Sequence, residues 1–186
     1  MPHVTSDPPQ TLDDATLAFA QRVFGHARTG ETAELAALLT AGLPPNLTND
    51  KGDTLLMLAS YHGHGETAQI LLQHHADPER ANDRGQTPLA AAAYQGDIAM
   101  VLLLLDNGAD VNGGGHNGRT ALMTAAMFDR KEIVELLLAR GADLRARDAD
   151  GLTAEAAARI MGAAAMADWL AEAAGPDATL SDRSEP

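Results

Sequence analysis

The chain of 186 residues sets 26 acidic side chains against 13 lysines and arginines, for a net charge of −13, and it has no cysteine. Missing cysteines exclude a disulfide scaffold and a thiolate metal or redox site, and the acidity argues against nucleic acid and anionic membrane, whose phosphates need basic patches. No apolar stretch approaches the roughly 20 residues of a membrane span, and 37 alanines with only 3% aromatics predict closely packed short helices rather than a sheet.

Taken in chain order, residues 1–11 are predicted to be a disordered tail, as are 176–186; both are rich in Pro, Ser, Asp and Thr. The start, MPHVTSDPPQ, has neither a basic n-region nor an apolar h-region, so no secretory signal is read and a cytoplasmic location is expected. Leu12–His26 reads as a helix whose Leu12, Leu17, Phe19, Val23 and Phe24 cover one end of a periodic array. The period is 33 residues. It separates Gly52, Gly85, Gly118 and Gly151, and the same step links Thr54, Thr87, Thr120 and Thr153. It also links Ala59, Ala92, Ala125 and Ala158, and Leu71, Leu104, Leu137 and Leu170.

Each unit reads as turn, helix, turn, helix. The glycine sits in a tight turn, and the threonine is placed as an N-cap, with Pro88 at the first helical position in one unit. A short Ala-rich helix ends at Gly63, Gly96 or Gly162. The second helix carries the apolar runs Ile70-Leu71-Leu72, Leu103-Leu104-Leu105 and Leu136-Leu137-Leu138. Glu66 and Glu132 fall in its first turn and Arg140 in its last, as the helix dipole favours. Gly108 and Gly141 come after it as C′ residues, a slot held by His75 in the second unit. An earlier unit is marked by Gly30, Leu38-Leu39 and Gly42, and the last, from Asp148, is degenerate and reads as a cap.

Thr87-Pro88-Leu89, Gly63-His64 and the endings Gly108-Ala109-Asp110-Val111-Asn112 and Gly141-Ala142-Asp143 resemble the signature of the ankyrin-repeat family. The resemblance implies an all-α solenoid of helix-turn-helix units joined by tight turns, about five repeats including degenerate caps. The expected divisions are an N-terminal cap at 12–48, repeats at 49–81, 82–114 and 115–147, and a C-terminal cap at 148–175. The family often has a histidine after Thr-Pro-Leu. Met57, Ala90, Met123 and Ala156 stand there instead, which predicts a weaker polar network between repeats.

Chemistry-bearing clusters are few. His62, His64, His74 and His75 crowd one repeat but sit at ends of different helices, so no metal site is expected. His64 reads as a helix cap. Asp50/Asp53 and Asp148/Asp150 read as solvated turn residues rather than acid–base pairs, and Gly113-Gly114-Gly115 as a loose turn. No cysteine nucleophile, G-x-S-x-G, HExxH or phosphate loop is present, so no enzyme, cofactor or catalytic residue is predicted.

The resemblance places a binding surface on the concave face, where turn tips and inner-helix ends project. The tips hold Asp50, Lys51 and Asp53, then Asp83, Arg84 and Gln86, then His116, Asn117 and Arg119; the helix ends hold Tyr61-His62, Tyr94-Gln95 and Met127-Phe128. Three of the six aromatic residues fall in these columns, a composition like that of interface hot spots. Tyr61, Tyr94 and Phe128 are expected partly exposed in one stripe, replaceable by alanine within about 0.5 kcal/mol of stability. Residues 31–110 carry 11 acids and 3 bases, while 116–159 carry 7 of each, an asymmetry that would orient a partner and favour a basic patch on it. The expectation is a monomeric, non-catalytic module of bacterial type that binds another protein as an adaptor, inhibitor or assembly factor, with no nucleic acid or membrane partner. The alternatives are a small-ligand or metal-binding protein using the His-rich repeat, and a secreted effector acting on a host protein.

Overall fold

The computed structural model describes residues 13–175, so Leu12 and both predicted tails lie outside the described residues. Among the described residues, ten α-helices succeed one another in pairs: α1 (Asp14–Thr29) with α2 (Thr32–Thr40), α3 (Leu55–His62) with α4 (Gly65–Gln73), α5 (Pro88–Gln95) with α6 (Ile98–Asp106), α7 (Ala121–Met127) with α8 (Lys131–Ala139), and α9 (Ala154–Ile160) with α10 (Ala164–Ala174). Helices α1, α3, α5, α7 and α9 pack each on the next to form an inner layer, and α2, α4, α6 and α8 do so in an outer one. Among the described residues the only β pairing is one isolated bridge, Thr48 to Thr54. This is an all-α repeat solenoid.

The starts and stops of the helices are local chemistry. Thr54, Thr87, Thr120 and Thr153 each accept the backbone N–H three residues on, from Met57, Ala90, Met123 and Ala156, which satisfies a donor the helix itself leaves orphaned. Pro88 occupies the first turn of α5, where its missing N–H costs nothing. His75 takes the left-handed conformation, φ 65°, in the slot that Gly108 and Gly141 fill elsewhere. Arg140 stands one residue beyond α8, capping it, and reaches Asp106 of the preceding repeat at 3.1 Å.

Packing explains the composition. Ala59, Ala92, Ala125 and Ala158 are fully buried in one column of the inner layer, where only a methyl group lets neighbouring helices approach. Leu71, Leu104, Leu137 and Leu170 form the matching buried column in the outer helices. A second small-residue column runs Ala27, Ser60, Ala93, Ala126, and its one hydroxyl, on Ser60, is buried without a hydrogen-bond partner among the described residues. A buried unmatched hydroxyl costs about 1–3 kcal/mol. Ser60→Ala should therefore stabilise the fold by about 1 kcal/mol, read as a rise of roughly 2–4 °C in melting temperature; an unchanged or lower value would mean that a partner exists.

Several expectations are corrected. Val23, Phe24 and Ala27 are buried on α1, but Leu17 is 44% and Phe19 37% exposed, so the buried positions of α1 all lie in its C-terminal half. Asp148 is not solvated: it is 7% exposed, its Oδ1 accepts the N–H groups of Asp150 and Leu152, and its Oδ2 lies 3.6 Å from Arg119. Gly113-Gly114-Gly115 is tight rather than loose. A Cβ on Gly114 would press the Gly118 backbone and one on Gly115 the Gly85 carbonyl, so this turn closes through a short 3-10 segment at Gly115–Asn117. His64 does not cap its own helix with its side chain; its Nε2 lies 2.7 Å from the Arg28 carbonyl of the preceding repeat. Arg130, in the same register two repeats on, bonds the Tyr94 carbonyl from Nε at 3.1 Å.

Met57, Ala90 and Met123 are buried, and the polar bonds between repeats sit elsewhere. Asn46, Glu79 and Asn112, spaced by 33, each accept at 2.8 Å the backbone N–H of the aspartate 31 residues on: Asp77, Asp110 and Asp143. Glu79 is the one charged acceptor of the three. Burial first, and then the Asp110 and Asp77 carboxylates, hold its carboxyl above the ordinary 4.5, against the opposing Asp110 N–H. The folded chain thus binds more protons than the unfolded one above that value, and this group's contribution to stability falls as pH rises through the window. Glu79→Gln keeps the acceptor and removes the charge. It should flatten that part of the stability–pH curve and leave stability at neutral pH within about 0.5 kcal/mol of the parent or slightly higher, as thermal melts from pH 4 to 7 would record.

Candidate functional site

The inner helices end on one side of the stack beside the turns that precede them. The first two turns are built around an Asx side chain: Asn49 Oδ1 accepts the N–H groups of Lys51 and Asp53, and Asn82 Oδ1 those of Arg84 and Gln86. In the third, Gly115 stands in that register and Asn117 Oδ1 accepts the Arg119 N–H. These bonds hold the tips out from the helices. Neighbouring turns are tied by Asn82 Nδ2 to Asp53 at 2.8 Å, by the Asp83 N–H to the Lys51 carbonyl at 3.1 Å, and by Asn117 Nδ2 to the Arg84 carbonyl at 2.8 Å.

Two adjoining grooves lie between tips and helix ends. The larger, about 390 Å³, includes Lys51, Asp53, Tyr61, His62, Arg84, Gln86 and Tyr94 in its lining. The smaller, about 230 Å³, includes Arg84, Gln86, Tyr94, Asn117, Arg119, Met127 and Phe128. Arg84, Gln86 and Tyr94 are shared walls. Asp50, Asp83, Gln95 and His116 line neither groove and are exposed at the rim. Asn82, Met57, Leu58, Ala90, Ala91 and Thr124 also contribute, although the sequence columns do not single them out. The 33-residue step could have found Asn82, since it repeats Asn49.

The aromatic residues form a continuous ladder across both grooves. The Tyr61 and Tyr94 rings stack with centroids 5.9 Å apart and planes 11° apart, and Phe128 meets Tyr94 edge to face at 4.5 Å. Tyr61 is 41% exposed, while Tyr94 and Phe128 are half-buried. The stripe is thus partly exposed, but its members also pack on one another. Such a pair contributes about 0.5–1.5 kcal/mol, so alanine at any of the three should cost that much rather than less than about 0.5 kcal/mol, with Tyr61, the most exposed, at the lower end.

His62 stands at the edge of the ladder, 5.2 Å from Tyr61 and 6.3 Å from His64, centroid to centroid. Burial, then the neighbouring His64 and Arg28, push its imidazole below the ordinary histidine range. Among the described residues no three His, Asp or Glu side chains converge as a metal cluster would require. No helix among them is long and apolar enough to cross a membrane.

Set against known families, residues 24–114 and 113–182 match a family described as ankyrin repeats (3 copies). An ankyrin repeat protein of Pseudomonas aeruginosa is 55% identical over 67 residues, which is 36% of this chain and 39% of that relative. The match therefore spans about two fifths of the relative's length.

Proposed function

The chain belongs to the ankyrin-repeat family, whose members are generally protein-interaction modules, and from that premise we propose that it binds a protein partner on the concave, turn-side face of its inner helices. It acts there without catalysis, as an adaptor, inhibitor or accessory factor of the partner. The divisions at 12–48, 49–81, 82–114, 115–147 and 148–175 are the units of that module, and the tip residues Asp50, Asp83 and His116 form its rim. The observation that carries this reading is the ladder of Tyr61, Tyr94 and Phe128 over two adjoining grooves. Rigid aromatic rings with one exposed face offer contact area at little entropic cost, and the polar groups around them can set orientation.

The test compares the parent with Tyr61→Ala by crosslinking and capture from a lysate of the host, using mass spectrometry to identify what is lost. Tyr61→Ala should cost only the roughly 0.5–1.5 kcal/mol of its stacking on Tyr94 and lose the specific partner, since truncating a hot spot costs about 2 kcal/mol or more of binding. Retention of every captured protein would remove the concave face as the binding surface.

A further inference from the structure

The lining of the two grooves reverses the sign of the chain's net charge. Residues 31–110 carry 11 acids against 3 bases, and two of those bases, Lys51 and Arg84, line the larger groove. Arg84 also lines the smaller groove, beside Arg119. The sole carboxylate in either lining is Asp53, and it is engaged by Asn82 Nδ2 at 2.8 Å and Asn49 Nδ2 at 3.2 Å. Among the described residues neither the Lys51 ammonium nor the Arg84 guanidinium has an ion pair or side-chain hydrogen bond. The Arg119 guanidinium reaches Asp148 only at 3.6 Å, and its Nε is buried with no partner. Two unpaired cationic heads, Lys51 and Arg84, and a third, Arg119, drawn toward Asp148, thus line the grooves that Tyr61, Tyr94 and Phe128 also line.

We propose that the concave groove takes an extended, acidic segment of its protein partner, with carboxylates on Lys51, Arg84 and Arg119 and an aromatic or aliphatic side chain laid on the ladder. This rests on the concave-face reading. It reverses the preference drawn from net charge, which favours a basic partner. The two differ in range: at physiological salt a field is screened beyond about 8 Å, so the acids elsewhere count little against cations at contact. Arginine suits the role because its fork bonds a carboxylate through two donors. Rim acids such as Asp50 and Asp83 then exclude, by like-charge repulsion, segments with a carboxylate in the wrong register.

The experiment selects binders to the full chain from a phage-displayed library of random dodecapeptides and measures the best as a synthetic peptide. Selected sequences should be enriched in Asp and Glu next to an aromatic or aliphatic residue. Replacing the peptide's acids by their amides should weaken binding about tenfold, Arg84→Gln should do the same, and the two together should weaken it little further. Arg84→Gln is the first variant because its head group holds nothing else; Arg119→Gln is judged only after its melt matches the parent. Binders without acid enrichment that are nonetheless lost on Tyr61→Ala would overturn this inference and leave the concave-face reading standing. Binders indifferent to both Tyr61→Ala and Arg84→Gln would overturn both.

Discussion

Leu71→Ala and Leu104→Ala should each cost roughly 2–5 kcal/mol of stability, because both leucines are fully buried where repeats meet and truncation leaves a cavity there. The loss should be large relative to the whole, since a domain is stable by only about 5–15 kcal/mol. Each variant should show a lowered denaturation midpoint in urea, and at the upper end of the range a partly unfolded population at 37 °C. Neither substitution touches Lys51, Tyr61, Arg84 or Tyr94, so residual folded molecules should keep their affinity. Tyr61→Ala should show the reverse pattern, a midpoint lowered only by the roughly 0.5–1.5 kcal/mol of its stacking on Tyr94 with binding lost. Were Tyr61→Ala to shift the midpoint as far as Leu71→Ala, the ladder would be core rather than a contact surface.

Helix placement is legible in the sequence because its causes are local. A threonine three residues ahead of an orphan N–H, a proline in the first turn and a glycine beyond the last turn act within one repeat, and the 33-residue step multiplies the signal. The buried Ala and Leu columns are legible for the same reason. The features that do not show depend on contacts across repeats. Asp148 has the sequence context of a solvated turn residue, yet it is buried and its Oδ2 lies 3.6 Å from Arg119 of the preceding repeat. His64 has the context of a cap, yet its ring spans 36 residues to the Arg28 carbonyl. Leu17 and Phe19 read as end-cover because the periodicity does not say where α1 leaves the stack. At the candidate site the columns locate the ladder and most of the groove lining. They do not reveal that Asp53 is occupied while Lys51 and Arg84 are free, since that is decided by Asn82 reaching back 29 residues.

Truncation after Asp148 should have the largest effect of all, since it removes α9 and α10 and uncovers the inner helix α7. Because α9 packs chiefly on α7 and α10 chiefly on α9, the face laid bare is mainly that of the Ala121–Met127 helix. Ala154, Ala157, Ala158, Met166, Ala167 and Leu170 would vanish from the core together. In a one-dimensional stack each repeat is stabilised mainly by its neighbours, and an interior repeat made terminal lacks a polar outer face. The truncated chain should therefore aggregate or lose several kcal/mol, about 5 or more if the added cost resembles that of two large core truncations. Trp169, the chain's single tryptophan, lies half-buried in α10 and reports on this end alone. In the full-length chain its fluorescence should change at or below the urea concentration at which circular dichroism records loss of helix, because the end of the array has one neighbour and the middle two. A truncated chain that stays monomeric with the parent's melting temperature would show that residues 149–175 do not cap the array.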